Sequence, residues 1–194
     1  ASWGVVTGRE GVFRTFRFFP HRVEGEGMFL AVARRAGEAE RVRESRNRRS
    51  VLAAVDARTT KELSRWVASP EAMRFMAAGD TLYGCYAGRY DDIALLSSRM
   101  AVIYSGVAMG QIFKGALRPD GALALFADVS REAVPCRDLS AQEALRFLRK
   151  QDMDAAAFEQ GVNMVTCGGL PLGFVKRIGA RVNNMYPNSL RILK

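Results

Sequence analysis

Residues 12–19, VFRTFRFF, are β-branched and aromatic positions with polar interruptions, the pattern of a strand. Pro20 stops the run, because proline has no N–H to give to a ladder. A loop over 21–27 carries Gly25 and Gly27 and leads into the apolar run MFLAVA, 28–33. The pattern therefore predicts a β-hairpin over 12–33. Residues 34–50, RRAGEAERVRESRNRRS, are almost devoid of apolar side chains and read as a charged linker at a domain boundary.

Beyond the linker the periodicity changes repeatedly. KELSRWVAS after Thr60 predicts a short helix, with Thr60 as its cap and Leu63, Trp66 and Val67 on one face. AMRFMA, TLYGCYAG, RMAVIYS and VAMGQIF, between 71 and 114, read as short strands separated by glycine-bearing turns. Asp91-Asp92 before IALL opens one helical turn. Pro119 is placed at the first position of a helix of about two turns. Ser140-Ala-Gln-Glu143 has the form of a capping box, with Leu145, Phe147 and Leu148 as packing residues of the helix that follows. VNMVTC (162–167) and LGFVKRI (172–178) are strands joined by the turn 168–171. The tail turns through Asn183-Asn184 and Pro187-Asn188 into a last short strand. Short strands mixed with short helices indicate an α+β chain with a small barrel-like sheet.

Charge sharpens this picture. The 194 residues carry 29 Lys+Arg and 20 Asp+Glu, a net charge of +9, and the excess sits at the two ends. Residues 1–50 hold 11 basic and 6 acidic residues, and 161–194 hold 5 basic and no acidic ones. Localised positive surface of this kind fits a polyphosphate partner. Hydrophobic residues make up 48%, enough to build a core and exclude wholesale disorder. No apolar run approaches the length that crosses a bilayer, so no membrane is expected. The arginines at 9, 14 and 17 do not fit a signal peptide. The first residue, Ala1, is read as a sign of a longer parent.

Candidate chemistry is sparse. Three cysteines at wide spacing and one histidine give no zinc pattern, so no metal is expected, and reduced thiols point to the cytoplasm. Cys136 and Cys167 lack a neighbouring histidine and read as structural. His21 is the one imidazole, and an exposed or structural role is the ordinary reading. Glu24 and Glu26 read as a solvated turn. Gly106 and Gly110 permit close backbone approach, to a neighbouring strand or to a phosphate. The densest functional pattern is Lys176, Arg177, Arg181, Asn183, Asn184, Tyr186, Asn188 and Arg191, with no acid among them. Cations position phosphates, amides read base edges and a tyrosine stacks.

Two stretches carry a resemblance to a known family. FRFFPHRVEGEGMFLAVARR, 16–35, resembles the closing strands of the catalytic domain in RNA 5-methylcytosine methyltransferases of the Sun family, through Pro20, His21, Gly27 and Phe29. GVAMGQIFKGALRPDGALALFA, DLSAQEALRFLRKQ and MVTCGGLPLGFVKRIGARVNNMYPNSLR are similar to the C-terminal PUA-like domain of RsmF-like 16S rRNA methyltransferases of that family. Gly169, Pro171, Leu172, Gly173, Lys176, Arg177, Gly179, Asn184, Tyr186, Pro187 and Arg191 carry that second likeness in order and spacing. Phe174, Asn183 and Asn188 depart from it, standing where the family has Trp, Lys and Lys.

The resemblance implies a layout: 1–36 as the last hairpin of a Rossmann-type methyltransferase domain, 37–50 as linker, 51–104 as a small mixed α/β intermediate domain, and 105–194 as a PUA-like β-barrel. It also implies that the parent binds S-adenosylmethionine and uses its catalytic cysteines upstream of Pro20-His21. Cys136 and Cys167 come after that motif and inherit neither role. This chain would then bind no cofactor, have no catalytic residue and be inactive alone, its part being to hold 16S ribosomal RNA. Lys176, Arg177 and Arg181 would meet phosphates, Asn184 a base edge or sugar, and Tyr186 would stack, with Lys114, Arg118 and Arg191 extending the surface. Three readings stand beside it: a protein-docking module, a stand-alone RNA-binding protein with no link to methylation, and an enzyme in its own right, which needs an S-adenosylmethionine site that the sequence does not display.

Overall fold

The computed structural model describes residues 4–23, 25–33, 37 and 52–193. The expected linker, 37–50, lies outside the described residues apart from Gly37. The chain divides into two compact units, Ala1–Arg46 and Asn47–Lys194.

In the first unit β1 (Val6–Glu10), β2 (Phe13–Phe18) and β3 (Met28–Val32) form an antiparallel meander in the order β1-β2-β3. The expected hairpin is present as β2 and β3, and β1 adds a strand that the sequence reading missed. Gly11, with φ 58°, takes the first position of the two-residue turn into β2, a conformation that glycine adopts without steric cost. Among the described residues of this unit only Thr15 is buried. Phe13, Met28, Phe29, Leu30 and Val32 are exposed, so the sheet has almost no core of its own.

The second unit opens with β4 (Ala53–Ala54), α1 (Ala57–Ser64), β5 (Met73–Ala78), β6 (Thr81–Tyr86) and α2 (Tyr90–Ser97). It continues with β7 (Val107–Phe113), β8 (Ala116–Pro119), α3 (Gly121–Ala124), β9 (Cys136–Asp138) and α4 (Ala141–Leu148). A C-terminal hairpin closes it, β10 (Gly161–Cys167), β11 (Leu170–Ile178) and β12 (Arg181–Asn184). The strands form two sheets, β4-β5-β6-β7-β8 and β12-β11-β10-β9, with β9 parallel to β10 and the other pairs antiparallel. The α+β composition is as expected. The closed barrel is not: the described strands form open sheets. The two larger sheets meet through side chains, with Leu63, Trp66, Met109, Leu117, Leu123, Met164 and Phe174 in one buried cluster. The boundary expected between 104 and 105 falls between β6 and β7, which are paired strands of one sheet.

Several local expectations shift for identifiable reasons. α1 is capped by Asp56, whose carboxylate accepts from the Thr59 N–H at 2.7 Å, so Thr60 already lies inside the helix. Trp66 and Val67 follow its end but are buried as expected. Residues 99–105 form no strand, because β7 takes the place beside β6; Ile103 there is 88% exposed. Asp91-Asp92 lie in the first turn of an eight-residue helix rather than a single turn. Pro119 closes β8, and Asp120 caps the four-residue α3 through the Ala122 N–H at 2.8 Å.

The capping box on α4 is present, with Ser140 Oγ accepting from Glu143 N–H at 3.3 Å and Glu143 Oε2 accepting from Ser140 N–H at 2.9 Å. Phe147 of α4 is fully buried and Leu148 packs against the same cluster, while Leu145 points to solvent. The β10–β11 turn is Gly168-Gly169, with φ of 57° and 75°, the pair of left-handed residues a type I′ hairpin demands. Asn183 and Asn184 belong to β12, and the turn before it is Gly179-Ala180. The expected last strand is replaced by a 3₁₀ turn over Asn188–Leu190.

Candidate nucleic-acid interface

Strand β11 presents two faces of opposite character. Gly173, Val175 and Arg177 point toward α4, and a Cβ on Gly173 would sit 2.7 Å from Phe147 Cζ. That close approach is why the position is glycine. Phe174 points the other way into the main core, against Trp66 in an edge-to-face pair at 5.8 Å. Lys176 and Ile178 continue that face past the end of the core. There the floor opens into a groove of about 910 Å³, bounded by the β7–β8 hairpin on one side and by β12 with the tail on the other.

The groove brings together Gln111, Phe113 and Arg118 from β7–β8, Lys150 from the end of α4, and Lys176, Asn183 and Asn188 from the C-terminal segment. Register explains the grouping. Gln111 lies opposite Arg118, and Lys176 lies opposite both Asn183 and Val162, so each set shares one sheet face. No hydrogen bond or ion pair engages the side chains of Gln111, Arg118, Lys176 or Asn183 among the described residues. Asp120 is the one acid among the described residues that line the groove, and its carboxylate caps α3.

Of the residues singled out in the sequence, Arg118, Lys176, Asn184 and Tyr186 border the groove, while Lys114, Arg177, Arg181 and Arg191 do not line it. Two of the bordering residues are already committed. Asn184 Nδ2 donates to Phe147 O at 2.7 Å and its Oδ1 accepts from Tyr186 N–H at 2.9 Å. The amide thus adds a side-chain donor to a carbonyl in the last turn of α4 that also accepts from the Lys150 N–H at 3.0 Å. Tyr186 packs its ring edge-on to Phe147 at 5.3 Å. Arg177 is likewise spent on structure: Nη1 donates to Phe158 O at 2.6 Å and Nε to Gly179 O at 3.0 Å. Lys114 sits at the tip of the β7–β8 hairpin, with Nζ 5.6 Å from the Phe113 ring centre. Arg181 and Arg191 are exposed outside the groove.

Sequence reasoning missed Lys150, Phe113 and Gln111 as groove residues. Lys150 adopts φ 52° just after α4 and donates from Nζ to Tyr186 O at 2.6 Å, tying the helix end to the tail. Nothing local signals that contact, since 36 residues separate the partners. Asn183, part of the basic and amide pattern read in the sequence, takes the groove face because it lies opposite Lys176. Gly106 and Gly110 resolve to the strand alternative: a side chain on either would run into the backbone of the neighbouring strand, at Gly84 O and Arg118 O.

Electrostatic perturbations lie outside the groove: at the α1 cap, where the Thr59 N–H and hydroxyl hold the Asp56 carboxyl low, at Cys85 in β6, and on the α4 side. The Thr166 hydroxyl, at 2.6 Å, and the Gly169 N–H, at 3.0 Å, hold the Asp138 carboxyl below the usual carboxylate range. The Ser140 N–H and hydroxyl do the same for Glu143, with Arg137 at 2.7 Å adding to it. Burial pushes the Cys85 thiol up, partly offset by Arg74, whereas Cys136 is exposed on β9.

In the first unit Gly27, at φ 92°, lies against Phe18 O and the Pro20 ring, so the Pro-His loop is closed by packing. His21 sits beside Phe19 with ring centres 5.5 Å apart, and Arg17 covers the Phe29 ring at 5.6 Å. Among the described residues no group of three His, Cys, Asp or Glu side chains is placed to hold a metal ion. No described helix is long and apolar enough to cross a membrane.

Residues 135–192 match the family model described as the methyltransferase RsmF PUA domain. That segment covers β9 through the tail, including the C-terminal wall and floor of the groove. No curated protein matches the chain.

Proposed function

We propose that residues 52–193 act as the RNA-binding part of an S-adenosylmethionine-dependent rRNA (cytosine-5)-methyltransferase, holding 16S ribosomal RNA while a separate catalytic domain transfers the methyl group. The observation that carries this reading is the groove beside Lys176. It gathers Lys176, Arg118, Asn183 and Gln111, none with a side-chain partner among the described residues, and its floor and C-terminal wall lie in the segment that matches an RsmF PUA domain. Lys176 and Arg118 meet phosphates, since neither has a protein counter-ion among the described residues. Asn183 and Gln111 supply directional donors and acceptors to base edges. Lys114, Arg181 and Arg191 extend positive surface beyond the groove. Arg177, Asn184 and Tyr186 support its walls.

In this reading β1–β3 are the closing strands of the methyltransferase domain. Their exposed apolar side chains support it, because a sheet with one buried residue is ordinarily covered by something else. In this proposal the separate catalytic domain binds the cofactor, and the working location is the cytoplasm. Affinity for 16S rRNA fragments across a salt series tests the proposal. Log K should fall with log salt by about 0.7 to 0.9 per phosphate contacted, and Lys176→Ala should lower that slope by about one contact. Absence of binding at low salt would sink it. Complex formation with ribosomal proteins that survives ribonuclease would instead favour the docking-module reading.

A further inference from the structure

The shape of the groove says which form of RNA it takes. Its cations and amides lie on the floor and inner walls: Lys176 and Asn183 are cross-strand neighbours in the C-terminal sheet, and Arg118 and Gln111 are cross-strand neighbours in the facing hairpin. At the mouth stands Phe113, an apolar ring 63% exposed at the end of β7. The turn beside it is Lys114-Gly115, both residues with positive φ, 52° and 82°. A lysine in the left-handed region is unusual, since that conformation favours Gly, Asn or Asp. It places the ammonium group over one face of the Phe113 ring, 5.6 Å from its centre, and leaves the other face for a base. Arg58, from the first turn of α1, packs its guanidinium over Gly115, where a Cβ would lie 3.0 Å from Nη2. The hairpin tip is therefore an exposed aromatic flanked by Lys114 and Arg58, opening onto a recess of free amides.

We infer that this groove and hairpin tip bind an unpaired RNA strand, with a base stacked on Phe113, its phosphates held by Lys176, Arg118 and the Lys114–Arg58 tip, and edges read by Asn183 and Gln111. The inference rests on the RNA-binding proposal and narrows it. A duplex keeps its bases stacked on one another and gives an exposed ring no base face. Its A-form major groove is too narrow to read, and its phosphates would meet the rims of a concave site rather than the amides on its floor. An unpaired strand lets bases splay into the recess while the backbone follows the cations.

The test uses the full 194-residue chain and two fluorescent probes at one low salt concentration: an unstructured 12-nucleotide RNA and a blunt 16-base-pair RNA duplex. The single strand should bind at least tenfold more tightly. Phe113→Ala should weaken the single strand about 5- to 150-fold, the range for loss of one base–aromatic stack, and leave the duplex unchanged. Phe113→Tyr should restore the affinity. Because the ring is exposed on a hairpin, an unchanged circular dichroism spectrum and melting temperature are expected for both variants. Equal or tighter duplex binding, or a single-strand affinity indifferent to Phe113→Ala, overturns the inference while leaving RNA binding standing. If neither probe binds, the RNA-binding proposal falls and takes this inference with it.

Discussion

The two faces of the β11–β12 hairpin carry similar polar side chains and put them to opposite use. On the α4 face, Arg177 and Asn184 spend their donors on Phe158 O, Gly179 O and Phe147 O, beside a core of Val165, Val175 and Phe147. On the groove face, Lys176 and Asn183 lie one residue away in each strand and have no protein partner among the described residues. A basic, amide-rich stretch of sequence is therefore half scaffold and half free surface, and strand alternation alone separates the halves. Polar groups buried next to a core are held there because an unmade hydrogen bond costs more than a made one gains. The groove side chains face water and give up little by waiting for a ligand.

Substitutions on the two faces should separate stability from binding. The largest loss is expected for Phe147→Ala. This ring is fully buried among Val165, Val175, Tyr186 and Gly173, so about 3–5 kcal/mol of unfolding free energy should disappear in a denaturant titration. A smaller loss, about 1–3 kcal/mol each, is expected for Arg177→Ala, which leaves Phe158 O without its guanidinium donor, and for Asn184→Ala, which removes the acceptor of the Tyr186 N–H and a side-chain donor to Phe147 O. RNA affinity per folded molecule should change less in both than in Lys176→Ala, and the salt slope should stay as it is. Lys176→Ala should behave in the opposite way, moving stability by less than about 0.5 kcal/mol while reducing the salt slope by about 0.7. If Lys176→Ala and Arg177→Ala prove alike in both assays, the division of the hairpin into two faces is wrong. Ser140→Ala comes next, removing the hydroxyl half of the capping box at a cost of about 1 kcal/mol.

The sequence made some of this legible and concealed the rest for physical reasons. The capping box on α4 and the β10–β11 hairpin depend on residues a few positions apart, and both were placed within two or three residues of where they lie. Gly168-Gly169 states its own turn type, because only glycine occupies two successive left-handed positions cheaply. Pro119 misled because proline suits both a helix start and the end of an edge strand, and only the pairing of β8 with β7 decides. Residues 99–105 are β-branched and aromatic enough for a strand, but β6 has one free edge and β7 fills it. In the interface, composition identified the right segment without assigning roles. Asn184 and Tyr186 look like base-reading groups until Phe147 arrives beside them from 37 residues upstream. Lys150, Gln111 and Phe113 join the groove through tertiary approach, which no spacing records.

The smallest expected effect is a dependence on pH carried by hydrogen-bonded carboxyls outside the groove, Asp138 and Glu143 on the scaffold face and Asp56 at the α1 cap. Asp138 accepts from the Thr166 hydroxyl and the Gly169 N–H, and Glu143 from the Ser140 N–H and hydroxyl; both carboxyls are held below their ordinary values. A carboxylate whose folded pKa is depressed binds its proton more readily in the unfolded chain. Its contribution to stability is therefore complete above the unfolded value, near 4, and is lost as pH falls through that value toward the folded one. Stability measured at pH 6, 5, 4 and 3 should thus fall most steeply in the last interval. Asp138→Asn preserves the shape of the Gly168-Gly169 turn anchor without the charge, so its stability should decline less between pH 4 and 3 and approach that of the unsubstituted chain. Two parallel curves across that interval would mean that the hydrogen bonds to Asp138 do not distinguish carboxylate from carboxylic acid. The turn would then be held by its glycines, and the anchoring role assigned to Asp138 on the scaffold face would fall.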